Sequence, residues 1–597
     1  MLQTFEASAD PSQGPVRLAA LRAELAARGL AGFLIPRADA HQGEYVAPRD
    51  ERLQWLTGFT GSAGSCIVLP DAAGIFVDGR YRTQVKGQVD LARFTPVPWP
   101  ETRPGDWIRA RLAGGAVGFD PWLHTRDEID ALEAALSGGG VALRPAPNAV
   151  DAIWHDQPAP PLGRAFPHPD ALAGESSAAK RARLAEGLRQ AGCRAAVLTL
   201  PDSICWLLNV RGADVPRNPV LHAFAILHDD GRVTLFADAA KIDDATGAHL
   251  GERVDRRDPA AFADTLATLA GPVQVDRRTA PLAVAQALEA AGTAIRWADD
   301  PCRLPKACKT PAEVGGMREA HLRDGAAVAE FLCWLDAQPP GTLDEIAVVT
   351  ALEGFRRATN ALHDLSFDTI AGAGPNGAIM HYRVTEATNR PVERDSLLLI
   401  DSGGQYVDGT TDITRTIAIG DPGPGARDAY TRVLQGLIAL SLARFPEGVA
   451  GCHLDALARA HLWRAGMDFD HGTGHGVGAF LSVHEGPQRI SRASDVPLRP
   501  GMILSNEPGY YREGAFGIRL ENLIVVRPPE AHVDGRALLS FETLTLAPFD
   551  RRLIRADRLS PDEREWLDAY HARVAAALSP RLSPAARDWL VSATAPL

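Results

Sequence analysis

Residues 397–416 read LLLIDSGGQYVDGTTDITRT: an apolar run that reaches Asp401, a glycine turn at Gly403 and Gly404, and a return toward a second run. LLLI reads as a buried strand, and ITRTIAI (413–419), which alternates apolar and polar residues, as a half-buried one. A hairpin of this kind aims Asp401 and Asp412 at one point. Downstream, HGTGHGVG (471–478), NEPGYY (506–511) and FGIRLEN (516–522) each bring one more polar residue into apolar surroundings. His475 lies between glycines, where the backbone can approach closely and the imidazole is free to point into a site. Glu507 follows the apolar MILSN and precedes the Pro508-Gly509 turn, and Glu521 sits in the alternating run GIRLENL.

Any one of these residues alone is at home in a turn or a core. Together, Asp401, Asp412, Glu507 and Glu521 place four carboxylates in otherwise apolar strands, beside the imidazole of His475. Isolated buried carboxylates are expensive, and a pair of divalent metal ions removes that expense. Oxygen-rich ligands with one imidazole favour Mn²⁺, with Co²⁺ or Zn²⁺ as other occupants, over a thiolate-type zinc. Two such ions, about 3.5–4 Å apart, activate a shared water and polarise a carbonyl, so the reaction class is hydrolysis. His381, His471 and His484 lie close to these residues in sequence and are candidates for the base or proton shuttle. The threonine pairs 410/411 and 414/416 can hydrogen-bond the carboxylates from behind.

The 597 residues suffice for three or four domains, and an apolar fraction of 46% fits a globular chain. Lys and Arg total 62 against 74 Asp and Glu, a net charge of −12, which argues against nucleic acid or an anionic membrane as partner. Seven scattered cysteines form no disulfide framework, and reduced thiols are expected; Cys302 and Cys308 are the only close pair. The N-terminal segment has no apolar core of a signal peptide, and no apolar run approaches the roughly 20 residues of a membrane span, so a cytoplasmic location is expected.

Residues 16–30 read as an amphipathic helix, GFLIP (32–36) as a buried strand, and WLTGFTGSAGSCIVLP and GIFVDGRY as two more strand-like runs. The order recurs: helix LAEGLRQAGC (184–193), strand AAVLTLP, then WLLNVRGADV where WLTGFTGSAG stood, and VTLFADAAK in place of GIFVDGRY. This is a duplication of one whole domain. Two α/β domains follow, 1–155 and 156–305, joined by the proline-rich HDQPAPPLGRAFPHP. DAHQGEY (39–45) and DGRY (78–81) read as loop and turn structure, with reach into a site as the alternative. A third domain, 306–527, opens on a capping box in KTPAEV, with Thr310, Pro311 and Glu313, and a helix to about Ala337. TLDE (342–345) repeats the capping pattern, and FDTIAGAGPNGAIMHY reads as strand, loop and a strand carrying His381. Helices over 427–444 and 453–465 follow. In the extension 528–597, SPDEREWLDAYHARVAAAL is a capped helix with a face of Trp566, Leu567, Tyr570 and Val574, set either to pack on the body or to form a dimer contact.

These motifs carry a resemblance. HGTGHGVGAFLSVHEGP and EPGYYREGAFGIRLEN resemble the signatures of the pita-bread metallopeptidases, and specifically the long, three-domain, cytosolic Xaa-Pro aminopeptidases of peptidase family M24. The likeness extends to DAHQGEYVAPRDERLQWLTGFTGSAG and VDGRY, to WLLNVRGADVPRNPV, and to the helix containing GMREAH. It implies two creatinase-like N-terminal α/β domains and a C-terminal pita-bread catalytic domain, an α/β (α+β) architecture overall. By that resemblance Asp412 and Glu521 bridge two ions, usually manganese; Asp401 completes one shell, and His475 with Glu507 the other. His381 and His484 match substrate-handling histidines, His471 one lining a proline pocket, and Arg519 and Tyr511 neighbouring positions. The implied reaction removes the N-terminal residue from peptides with proline second, with Glu507 handling the proton of the attacking water. A homodimer, with the C-terminal extension contributing, is implied as well.

Three rivals share the fold. A prolidase cuts only Xaa-Pro dipeptides with the same ligand types, and the long N-terminal half argues against it. A creatinase is metal-free and should lack most of these carboxylates. A catalytically dead binding module should have lost ligands, whereas this chain keeps all five positions.

Overall fold

The computed structural model describes residues 2–532 and 534–597. They form two compact units, one of residues 8–306 and the other of 307–597 together with the first residues of the chain. The N-terminal segment, assigned above to the first domain, thus belongs with the C-terminal unit. The Gln3 amide there exchanges two hydrogen bonds with the Thr369 backbone, at 3.2 and 2.8 Å. The Phe5 carbonyl accepts from Glu386 N at 2.8 Å.

The unit 8–306 contains two six-stranded sheets. The first uses Gly32–Pro36, Ser65–Val68, Ala73–Val77, Thr95–Pro98, Gly114–Phe119 and Gly140–Pro145. The second uses Ala195–Leu198, Phe224–His228, Val233–Phe236, Val254–Arg257, Val273–Val275 and Ile295–Trp297. In both, the spatial order is fourth, third, second, first, fifth, sixth. In both, the second strand is antiparallel to its two neighbours and the other pairings are parallel. Identical topology and pairing sense are the structural form of the duplication read from the sequence. One detail differs: Trp55 and Trp206 lie not on strands but on short helices, Arg52–Thr57 and Pro201–Leu208. Each helix ends on a left-handed residue, Gly58 at φ 88° and Asn209 at φ 49°. A short apolar run does not by itself distinguish a buried helix from a strand, and here the left-handed stop makes it a helix.

The DAHQGEY loop is a turn of half-buried residues built around the buried Asp39. Asp39 Oδ1 accepts from the backbone of His41 (2.9 Å) and Gly43 (3.2 Å). Its Oδ2 lies 3.6 Å from His222 Nε2 without a hydrogen bond. Burial raises the Asp39 carboxyl to about 6 and lowers His41 to about 4. A carboxyl whose folded pKa is raised contributes stability at low pH that is lost as pH rises through about 6. Asp39→Asn keeps the accepting oxygen and removes the charge, so it should stabilise the fold at pH 8, by up to about 3 kcal/mol for a shift of this size, and raise the melting temperature there. The gain should shrink toward pH 4; thermal denaturation at both pH values checks it, and an equal effect at the two would refute the assignment.

In the C-terminal unit, Pro311–Asp336 carries the expected capping box, with Glu313 N bonded to Thr310 and Thr310 N to Glu313. The next helix, Glu345–Arg357, is capped by Asp344 rather than Thr342. The carboxylate of Glu345 is engaged elsewhere: it accepts from Ala373 N (2.7 Å), Tyr382 OH (2.8 Å), Asn376 Nδ2 (3.0 Å) and Arg390 N (3.1 Å). This clamp draws in the segment after the strand Ile370–Ala373, so His381 lies in a turn beyond a short 3-10 helix and not on a strand. Helices Pro424–Ser441 and Gly451–Trp463 pack behind the sheets through Leu434, Leu437 and Leu462.

The extension packs on this body. Its helix Pro561–Leu578 has the expected Ser560–Glu563 capping box, and Leu567, Tyr570 and Val574 share one core with Leu434, Leu437 and Leu520. Leu590, on Pro584–Ala593, joins them, while Trp566 and Trp589 are partly buried against it. All seven cysteines are free; burial pushes the Cys302 thiol well above its usual range, which suits a core thiol. Among the described residues, no helix is long and apolar enough to cross a membrane.

Candidate metal centre

Two strands deliver the first pair of carboxylates. Asp401 lies in Ser396–Ser402 and is registered across from Thr414 of Ile413–Ile419, which Asp412 immediately precedes. Side chains alternate along a strand, so Asp412 shares a face with Thr414 and hence with Asp401. A five-stranded sheet supplies the rest. His475 is the central residue of Gly474–Gly476. A Cβ at Gly474 would stand 1.9 Å from the Ser505 carbonyl, so this close approach requires glycine. Glu507 follows Ile503–Asn506, and Glu521 separates Phe516–Arg519 from Asn522–Val526.

Three sets of donor atoms converge, each within 4.8 Å of one another: Asp401, Asp412 and Glu521; His475, Glu507 and Glu521; and Asp412, His475 and His484. His475 Nε2 is 3.5 Å from both Asp412 Oδ2 and Glu507 Oε1. Its Nδ1 is 2.9 Å from the Gly476 carbonyl, which fixes the ring and leaves Nε2 bare for a ligand. Ser505 Oγ accepts from His475 N at 2.9 Å and donates to Glu507 Oε1 at 3.1 Å, tying two donors together. Asp401 Oδ1 and Glu521 Oε1 are buried without a hydrogen-bond partner. Burial first, and then the neighbouring carboxylates, raises Asp412 and Glu521 well above the usual carboxylate range. Converging carboxylates with orphaned, buried oxygens and a bare imidazole nitrogen are the environment that divalent cations satisfy.

A hydrogen-bonded chain leads away from Asp401. Its Oδ2 accepts from Arg519 Nη2 at 2.6 Å; Arg519 Nη1 donates to Tyr511 OH at 2.7 Å; and Tyr511 OH is 2.9 Å from His471 Nε2. Burial pushes the Tyr511 hydroxyl up to about 12. Arg519, Tyr511 and His471 are thereby joined to one another and to a candidate ligand. The His484 ring stands edge-on to that of His475, centroids 4.2 Å apart. His381 is half-buried in its turn and is not among the converging donor sets.

Residues 315–528 match metallopeptidase family M24, and 537–597 match the C-terminal region of peptidase M24. Residues 17–153 and 156–313 match creatinase/prolidase N-terminal domains. A probable Xaa-Pro aminopeptidase P of Neosartorya fischeri is 40% identical over 585 residues, spanning 94% of this chain and 88% of that protein. The chain belongs to the Xaa-Pro aminopeptidase P family, within metallopeptidase family M24. The X-prolyl aminopeptidase of Caenorhabditis elegans, described as a cytosolic enzyme with a di-nuclear active site, superposes with a TM-score of 0.92 at 32% identity, over 98% of this chain and 100% of that one. The Xaa-Pro dipeptidase of Bacillus anthracis covers 63% of this chain, with a TM-score of 0.51 at 25% identity.

For this member of the aminopeptidase P family, some supporting residues are invisible to motif reading. Arg459, 2% exposed, donates to Asp455, Asp468 and the carbonyls of Phe469 and His471, and so shapes the segment leading to His475. Thr473 Oγ1 closes the network on Asp455 at 2.7 Å. Asp324 and Arg356 pair at 2.7 Å beneath Thr411, the neighbour of Asp412. The one available signal was a charged residue at a core-facing helix position, as with Asp455 and Arg459 four apart.

Proposed function

We propose that this chain is a metal-dependent aminopeptidase that releases the N-terminal residue from peptides with proline in second position. The observation that carries it is the convergence of Asp401, Asp412, His475, Glu507 and Glu521 donor atoms, in a chain that matches X-prolyl aminopeptidases from end to end. Asp401, Asp412, His475, Glu507 and Glu521 would together hold the two ions, with Asp401 on the side of Asp412 and Glu521, and His475 beside Glu507. The oxygen-rich set favours Mn²⁺, with Co²⁺ or Zn²⁺ as alternatives. When bound, such ions activate water and polarise the scissile carbonyl.

The protein's own groups do the rest. Glu507 takes the proton of the attacking water, with its carboxylate held by Ser505. The Xaa-Pro nitrogen is a tertiary amide without N–H, so the leaving proline must receive a proton. His381 and His484 handle the substrate, and His484 already faces the His475 side of the site. His471, tied to Tyr511 and Arg519, lines the pocket that takes the proline ring. The enzyme works in the cytoplasm as a homodimer on this reading; sedimentation at twice the 63.8 kDa chain mass would support the dimer.

The test is an assay of metal-stripped protein, with and without added Mn²⁺, on Xaa-Pro-Yaa, Xaa-Ala-Yaa and Xaa-Pro. Hydrolysis of Xaa-Pro-Yaa alone, dependent on metal and abolished by chelation, is expected. Cleavage confined to the dipeptide would make the enzyme a prolidase. No bound divalent ion and no activity with Mn²⁺ would sink the enzyme reading.

A further inference from the structure

Arg415 is a cation buried without an ion pair among the described residues. It is 2% exposed, in the strand that leaves Asp412. Every acceptor of its guanidinium is neutral. Nη1 donates to the carbonyls of Thr414 (2.9 Å) and Glu521 (2.6 Å), and Nε to that of Pro548 (3.0 Å). Nη2 donates to Ala547 O (2.7 Å), Asn522 Oδ1 (2.9 Å) and Tyr570 OH (3.1 Å). The Phe549 ring covers it at 4.2 Å. Burying a guanidinium is costly unless its donors are satisfied, and here each nitrogen has an acceptor, in a planar fork that a lysine ammonium could not reproduce.

The arrangement around Glu521 shows what the guanidinium does. Glu521 N donates to Thr414 O at 3.1 Å. Glu521 O accepts from Arg415, and Glu521 Oε2 accepts from Thr414 Oγ1 at 2.7 Å. Two consecutive residues of one strand therefore hold three of the four polar atoms of Glu521. The fourth, Oε1, is the orphaned oxygen aimed at the donor cluster. Asp412 immediately precedes that same strand, so Thr414 and Arg415 set the separation of Asp412 and Glu521. The opposite edge of the guanidinium grips residues 547–548 and the hydroxyl of Tyr570, on the helix of the C-terminal extension.

We infer that Arg415 is a positioning residue for the metal pair, and that through Tyr570 the C-terminal extension is a structural part of the metal centre that sets its affinity. This rests on the proposed role of Glu521 as a ligand, and the experiment separates the two. Full-length Arg415→Lys, Tyr570→Phe and Glu521→Gln proteins are stripped of metal and titrated with Mn²⁺ by calorimetry, with electron paramagnetic resonance reporting spin coupling between the ions. Arg415→Lys should weaken Mn²⁺ binding by about 10–100-fold, the range for partners behind metal ligands. Tyr570→Phe should weaken it in the same direction by less. Excess Mn²⁺ should restore kcat in both. Wild-type affinity and coupling in both variants, even with a lowered metal-free Tm, would overturn the inference, because a merely structural role predicts that result. Should Arg415→Lys fail to fold, Tyr570→Phe decides alone. Two coupled ions retained by Glu521→Gln would instead overturn the ligand assignment on which the inference stands.

Discussion

Glu507→Gln should leave both metal ions bound and lower kcat on Xaa-Pro-Yaa by about 10²–10⁴-fold, the usual contribution of a positioned proton-transfer group. Glutamine matches glutamate in size and keeps one carbonyl oxygen. The Glu507 backbone stays anchored through its N–H to the Thr473 carbonyl at 2.8 Å. Ser505 can still donate to the retained oxygen, as it does now at 3.1 Å. What the amide cannot do is carry a proton from the attacking water to the leaving nitrogen. The measurement is kcat with metal content determined on the same sample. Full turnover with both ions present would remove Glu507 from the proton path. Loss of an ion would reassign its main role to holding metal.

Arg356→Met should destabilise the metal-free C-terminal unit by about 3–5 kcal/mol, the penalty for breaking one side of a buried ion pair. Arg356 and Asp324 have fully buried side chains and meet at 2.7 Å. Asp324 also accepts from Tyr406 OH at 2.7 Å and Thr411 Oγ1 at 2.9 Å. Without Arg356 the carboxylate keeps two neutral donors and loses its counterion. Adding Asp324→Leu should recover only part of the loss, because Tyr406 and Thr411 then lack an acceptor. Urea denaturation of both variants checks this, and a loss under about 1 kcal/mol for Arg356→Met would mean that the pair is no more than a surface-type contact. Because Thr411 adjoins Asp412, the same variant should also loosen metal binding.

The candidate ligands were legible because they break a pattern. Asp401, Asp412, Glu507 and Glu521 stand in or beside otherwise apolar runs, and a buried charge there needs a reason. Caps were legible where they are local: Thr310 with Glu313 and Ser560 with Glu563 close within one helical turn. Thr342 does not close the TLDE cap because the Glu345 carboxylate is claimed by Ala373, Asn376, Tyr382 and Arg390. The same clamp moved His381 off a strand. Trp55 and Trp206 looked strand-like for want of any local signal beyond a short apolar run.

By itself, then, the sequence determined the duplicated α/β half, the strands that carry Asp401 and precede Glu507, and five candidate ligands, since each depends on periodicity or on residue types within a few positions. Tertiary structure alone decided the support: Arg415 under Glu521, Asp324 with Arg356 under Thr411, Arg459 behind His471, and the extension closing over Arg415. Those partners lie between 12 and 155 residues apart in the chain. A buried arginine or aspartate is satisfied by whichever acceptors or donors the fold brings to it, and no spacing in the sequence records which those are.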